Sequence, residues 1–309
     1  MCRMVIRILL VFNLLLYFVP PPVRGQEHSE SGTDPKKQEN LAALGEKINN
    51  PLSDLWLLAV QSEFQWFDGQ ITDKKRLVNV TLLQPVMPIA LTENWRMIVR
   101  PIFPFASFPF SGFDYETGPK GPIPVPNFER RNGLGDIVLW TAFSNRYTPP
   151  NVFGFGPTLM LPTGTHRTLT TGKFSMGPMV AAFHMGKKWI IGTVVQQWWS
   201  VAGDPHRSQV NLTDIQYVVR FRLTPTTNIG CAPNIRINWV ADGQDRVTFP
   251  IGFGGDTLIR LGPLPVRVGA EFQYYPVTPE VAGPQYNLRL TLTPIIPAPE
   301  WAKRPLLSF

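Results

Sequence analysis

Catalysis needs a nucleophile, a base and an orienting group within hydrogen-bond reach. Histidines are the first place to look, and the chain carries four: His28, His166, His184 and His206. Only Asp204-Pro205-His206 sets one close to a carboxylate, and that cluster reads as a solvated polar loop. There is no G-x-S-x-G, no H-E-x-x-H, no C-x-x-C and no phosphate loop. "GFGGD" (252–256) is glycine-rich but leads into no helix, so it reads as a tight strand end rather than a phosphate cradle. The expectation is a non-enzyme with no catalytic residue, no metal ligands and no cofactor.

The residues that do repeat are arginines. In "DIQYVVRFRL" (214–223), Ile215, Tyr217, Val219, Phe221 and Leu223 point one way, while Gln216, Val218, Arg220 and Arg222 point the other. Period two is strand periodicity, because successive side chains of a strand face opposite sides of the sheet. "NIRINW", "VRVGAEFQY" and "YNLRLTLT" repeat it. On this alternation Arg96, Arg100, Arg220, Arg222, Arg236, Arg267 and Arg289 share the polar face, with Glu63, Asp136 and Glu271 as expected partners. Two readings fit. The charges pair off and rigidify an interior, or a cationic excess lines a path for anionic or polar aromatic solutes. Arginine also stacks on rings, which suits an aromatic acid.

These side chains need strands to carry them. About twelve candidates, each near the length a tilted transmembrane strand requires, lie around 55–67, 76–88, 95–105, 133–143, 151–162, 173–184, 189–200, 210–223, 227–240, 245–255, 265–275 and 285–296. Short links at "LTEN", "GKK" and "TPTT" alternate with longer ones such as "DGQITDKK" and the Pro- and Gly-rich 106–132. "NRYTPPN" and "LIRLGPL" are longer than their places in the short series suggest. Sorting of loops by parity suits a membrane barrel and has no reason to occur in a sandwich. Trp56, Trp66, Trp95, Trp140, Trp189, Trp198, Trp199 and Trp239 fall mostly toward strand ends, where aromatic girdles sit. Pro85, Pro101, Pro157, Pro178, Pro233 and Pro250 fall inside the strands and are read as bulges.

The N-terminus speaks to compartment. Arg3 and Arg7 precede "ILLVFNLLLYFV", which is too short to span a bilayer, and a small residue, Gly25, offers a cut: a signal peptide over 1–25. Removing it takes Arg3, Arg7 and Arg24, so 29 basic residues against 22 acids become 26 against 22. That balance is too mild to argue for nucleic acid. Cys231 is then the sole cysteine, which excludes a disulfide framework. Residues 26–49 read as a polar segment followed by a short helix, with Leu41, Leu44 and Ile48 at helical spacing before Asn50-Pro51. The barrel is expected over 50–296 and a tail over 297–309.

Seven blocks occur in order: "NPLSDL" (50–55), "QPVMPIALTENW" (84–95), "RPIFPF" (100–105), "GLGDI" (133–137), "GPTLMLPTGT" (156–165), "GPMVA" (177–181) and "WSVAGD" (199–204). Over residues 41–296 the chain resembles the outer-membrane family described as MetA-pathway of phenol degradation proteins, whose members are often labelled transporters. The resemblance implies an outer-membrane β-barrel that moves small, often aromatic compounds; it brings no functional residues with it. The chain departs from the family in its long 106–132 loop and its "PAPEWAKRPLLSF" ending.

The expected protein is all-β, a single closed antiparallel barrel of about twelve strands behind a short N-terminal helix that partly occludes the pore. It would be a passive outer-membrane channel for small, aromatic or anionic, solutes. Its partners would be outer-membrane lipid, the barrel assembly machinery and the small-molecule solute, with no nucleic acid. A secreted soluble β-sandwich binding module is the competing class, and a rim enzyme using His206 is the third.

Overall fold

Twelve antiparallel strands close into a barrel in the computed structural model, which describes residues 43–45, 47–49, 52–118, 121–145 and 150–307. The expected signal peptide, the polar run after it and Leu41 lie outside the described residues. The strands run in chain order: β1 (Trp56–Asp68), β2 (Arg76–Ala90) and β3 (Trp95–Phe108), then a separate hairpin of β4 (Gly112–Gly118) and β5 (Gly121–Asn127). One interrupted barrel strand follows, β6 (Arg131–Leu134) and β7 (Ile137–Asn145). Next come β8 (Asn151–Leu161), β9 (Lys173–Met185), β10 (Trp189–Gly203) and β11 (Asn211–Arg222). A second interrupted strand, β12 (Thr227–Cys231) and β13 (Asn234–Asn238), leads to β14 (Val247–Leu261), β15 (Leu264–Val277) and β16 (Gly283–Ile296). Each barrel strand pairs with the barrel strands before and after it, and β16 pairs with β1 to close the ring. Closure leaves no free edge.

Connections at the end of the barrel where β1 begins and β16 ends are short. The link within "LIRLGPL" proves to be a two-residue turn, Gly262-Pro263, because β14 and β15 pair out to Leu261 and Leu264. Gly262 has φ +61 and proline supplies the fixed φ that follows, a combination suited to a tight hairpin.

The outer face is apolar. Phe153, Phe155, Val180, Ile191, Phe253 and Phe272 are all at least half exposed, as lipid contact would require. Exposed Trp95 and Trp189 sit near the short-turn end, and exposed Trp199 and Trp239 near the long-loop end. From Trp189 to Trp199 is ten residues along β10. That is ~33 Å of strand and, at a tilt of ~40°, ~25 Å of height, the thickness of an outer-membrane barrel's apolar band. Trp140 and Trp198 depart from the expected girdles. Both are buried on the inward face, where the Trp198 indole donates to Thr158 Oγ1 at 3.1 Å.

The prolines mostly act differently from expectation. Pro250 does lie at a register shift between β14 and β15. Around Pro85 and Pro101 the β2–β3 ladder lapses without changing register, from Leu83↔Phe103 to Met87↔Val99. Pro157 and Pro178 face each other across β8–β9, and Pro233 separates β12 from β13. A missing N–H removes a ladder bond without requiring an inserted residue, so pairing windows form in place of bulges.

The tail beyond β16 forms a short helix, Glu300–Lys303, and its backbone then bonds the β2–β3 turn, Leu306 N to Ala90 O and Leu307 N to Leu91 O. Trp301 packs edge-on against Trp56 at 6.0 Å.

Candidate functional site

Period-two alternation carries the seven predicted arginines onto the inward face, where their partners differ from expectation. Arg289, 7% exposed at its side chain, donates to Glu63 at 3.0 Å and lies 3.9 Å from Glu271. Arg220 and Arg267 share Asp256, each at 2.6 Å. Arg236 meets Asp214 at 3.2 Å and Arg96 meets Asp54 at 2.8 Å. Arg100 donates to Gln84 and lies over the Trp140 ring, 5.2 Å from its centre. Arg222 continues the Arg220 face toward the short-turn end. Asp136 does not join this set. Its carboxylate accepts the amides of Gly164 and Thr171 and the Thr171 hydroxyl, pinning the β8–β9 loop instead. Among the described residues, the carboxylates that these arginines meet are Glu63, Glu271, Asp54, Asp214 and Asp256, where Glu63, Asp136 and Glu271 were expected.

Glu271 and Arg289 also have a backbone task. At the break between β12 and β13, Glu271 accepts the Ala232 amide at 2.9 Å while Arg289 donates to the Ala232 carbonyl at 2.7 Å. Side chains thus replace two ladder bonds that Pro233 interrupts, because buried backbone groups need partners. "GFGGD" lies within β14 rather than at a strand end. Gly252 and Gly254 face inward, and a Cβ on Gly252 would sit 2.7 Å from the Glu271 carboxylate. Glycine there makes room for the clamp.

The lumen is two-sided. Gln61, Glu63, Gln65, Glu271, Gln273, Asn287 and Arg289 form a continuous hydrogen-bonded wall from β1, β15 and β16. Trp140, Ala142, Val152, Met179, Ala181, Phe183 and Val194, from β7 to β10, cluster as an apolar wall.

The N-terminal segment fills the short-turn end between them. Its helical residues 43–45 and 47–49 put Ile48 against Leu258 and Ile295. Leu52, 1% exposed, belongs to the apolar cluster. Asn49 Oδ1 accepts from Arg267 at 2.8 Å and from Asn228 at 3.0 Å. Gly45 passes so close to Pro225 that a Cβ would strike its carbonyl oxygen.

At the long-loop end, Arg76 donates to Asp73 at 3.0 Å, and this bond holds the Asp73 carboxyl below its ordinary range. The Arg76 guanidinium lies over Phe128, 4.0 Å from the ring centre. Asp204 bonds the backbone amide of His206 at 2.9 Å, not its imidazole, so it does not orient the ring for catalysis.

Three carboxylates escaped the sequence reading. Asp214 shares the parity of Arg220 and Arg222 on β11, a signal that was available, whereas Asp256 lies on β14, which carries none of the seven arginines. Asp54 precedes the first strand and has no period to betray it.

No known family profile matches the chain, and no curated protein does. Among solved structures, the chain is similar to the COG4313 outer membrane channel from Pseudomonas putida F1, with TM-score 0.58 and 16% identity over 79% of this chain and 97% of that one. The NanC porin aligns at TM-score 0.45 and 10% identity, covering 78% and 99% of the two chains. The Pseudomonas putida toluene transporter TodX aligns at 0.38 and 10%, covering 81% and 92%. The first likeness shows a shared fold, a closed β-barrel of the outer-membrane kind.

Proposed function

We propose that this protein is a passive outer-membrane channel for small solutes, leaning toward anions and suited to aromatic acids. The observation that carries the reading is the two-sided lumen. A wall that carries Arg220, Arg267 and Arg289 among hydrogen-bonded polar side chains faces a wall of Trp, Phe, Met and aliphatic side chains. An aromatic carboxylate has the same two faces, a charge for the guanidinium and a ring for the apolar side. The apolar exterior between tryptophan levels supports placement in a bilayer, since the same surface in water would be a large exposed patch. The quoted sequence blocks, with their resemblance to phenol-degradation barrel proteins, support aromatic compounds as cargo.

Liposome swelling tests this reading. Vesicles carrying the full chain should swell faster in isotonic sodium benzoate than in a benzylammonium salt of equal size. Equal rates would remove the anion preference, and no swelling in either, or in small neutral sugars, would remove the channel.

A further inference from the structure

We infer that the long-loop mouth holds a binding site for small amphiphilic carboxylates, placed where solute would first meet the barrel. A cavity of about 540 Å³ lies there, lined by residues of the β8–β9, β10–β11 and β13–β14 connections and the adjoining ends of β11 and β13. Among the described residues that line it, Arg167, His206 and Arg207 supply basic groups and none is a carboxylate.

Arg207 is held in place. Its Nε donates to Thr171 O at 3.2 Å, and its Nη2 to Arg167 O at 2.9 Å and to Thr170 O. Carbonyl oxygens fix a guanidinium but do not cancel its charge, so the cavity keeps a positive potential at a defined position. Arg167 is exposed in the same cavity, and its own backbone carbonyl accepts from Arg207. Two guanidiniums borne on adjoining loops are suited to one carboxylate, which accepts charge-assisted hydrogen bonds from both.

The rest of the lining sets the other half of the ligand. Leu212 and Val240 give the cavity an apolar side, and the volume lies within the range of small-molecule sites. A bare anion would leave that surface unused; a carboxylate on an apolar body covers it. Leu212 and Asn238 are paired across β11–β13 with inward parity, and Arg236 lies two residues deeper on the same face as Asn238. Its side chain is 62% exposed although it touches Asp214. A carboxylate leaving the mouth therefore finds another guanidinium within one step down the wall.

The inference rests on the channel reading only for the direction of traffic; binding itself does not depend on it. Calorimetric titration of the detergent-solubilised full chain should show benzoate binding, with benzyl alcohol, its neutral analogue, at least about tenfold weaker. Arg167→Gln should weaken benzoate about tenfold, without a folding cost, because that side chain is exposed. Equal affinity for benzoate and benzyl alcohol would overturn the site, as would an unchanged affinity in Arg167→Gln. Competition by inorganic phosphate as strong as by benzoate itself would also overturn it, because it would mean an anion site indifferent to the apolar wall. Benzoate binding in a protein that passes no ions would support the site and sink the channel; conduction without benzoate binding would do the reverse.

Discussion

Deleting residues 26–49 should raise single-channel conductance severalfold in planar bilayers. Barrels of about 8 strands have lumens filled by side chains, and those of 16 to 18 leave an aqueous channel. Twelve strands fall between, so whatever occupies the lumen decides the conductance. Here the occupant is the N-terminal segment, with Asn49 bonded to Arg267 and Asn228, and Ile48 seated against Leu258 and Ile295. Deletion removes Ile48 and Asn49 together and leaves Arg267 and Asp256 facing water, where charge is tolerated. Gly45→Val should act in the same direction without shortening the chain, because its side chain cannot pass the Pro225 carbonyl. Unchanged conductance in both variants would mean that the segment does not limit flow.

Arg289→Ala should cost about 3–5 kcal/mol of folding stability, read from urea unfolding of the protein in lipid vesicles. Its guanidinium serves Glu63, Glu271, Asn234 and the Ala232 carbonyl at once. Truncation leaves two buried carboxylates without their cation and one backbone oxygen without its donor, and uncompensated buried charge is among the costliest defects a core can carry. Arg236→Ala provides the contrast. That side chain is 62% exposed and serves one carboxylate, Asp214, which Asn234 also supports, so its loss should cost clearly less than that of Arg289. Similar losses in both variants would show that the Arg289 network is not the structural centre of the polar wall.

The strands were legible because period two survives in them. A residue on the outer face and a residue facing the lumen differ in polarity, and β9, β11, β15 and β16 start and end within a few residues of the expected limits. The β4–β5 hairpin was hidden by Pro122, Pro124 and Pro126 in "GPIPVPN". Their even spacing puts every missing N–H on the edge away from β4, and only such an edge tolerates prolines. Which carboxylate meets which arginine was not legible. Arg220 and Asp256 lie 36 residues apart, and their meeting depends on the register of three strands rather than on any local pattern. The inward arginines could be read one strand at a time; the charge balance of the lumen could not.

The reversal potential under a potassium chloride gradient tests the central claim most directly. With Arg100, Arg220, Arg236, Arg267 and Arg289 on the inward wall, the proposed channel should reverse on the chloride side of zero. Arg220→Glu with Arg222→Glu should move the reversal potential toward potassium, since both side chains project from one face of β11 into the lumen. A wild-type reversal potential on the potassium side of zero would contradict the account.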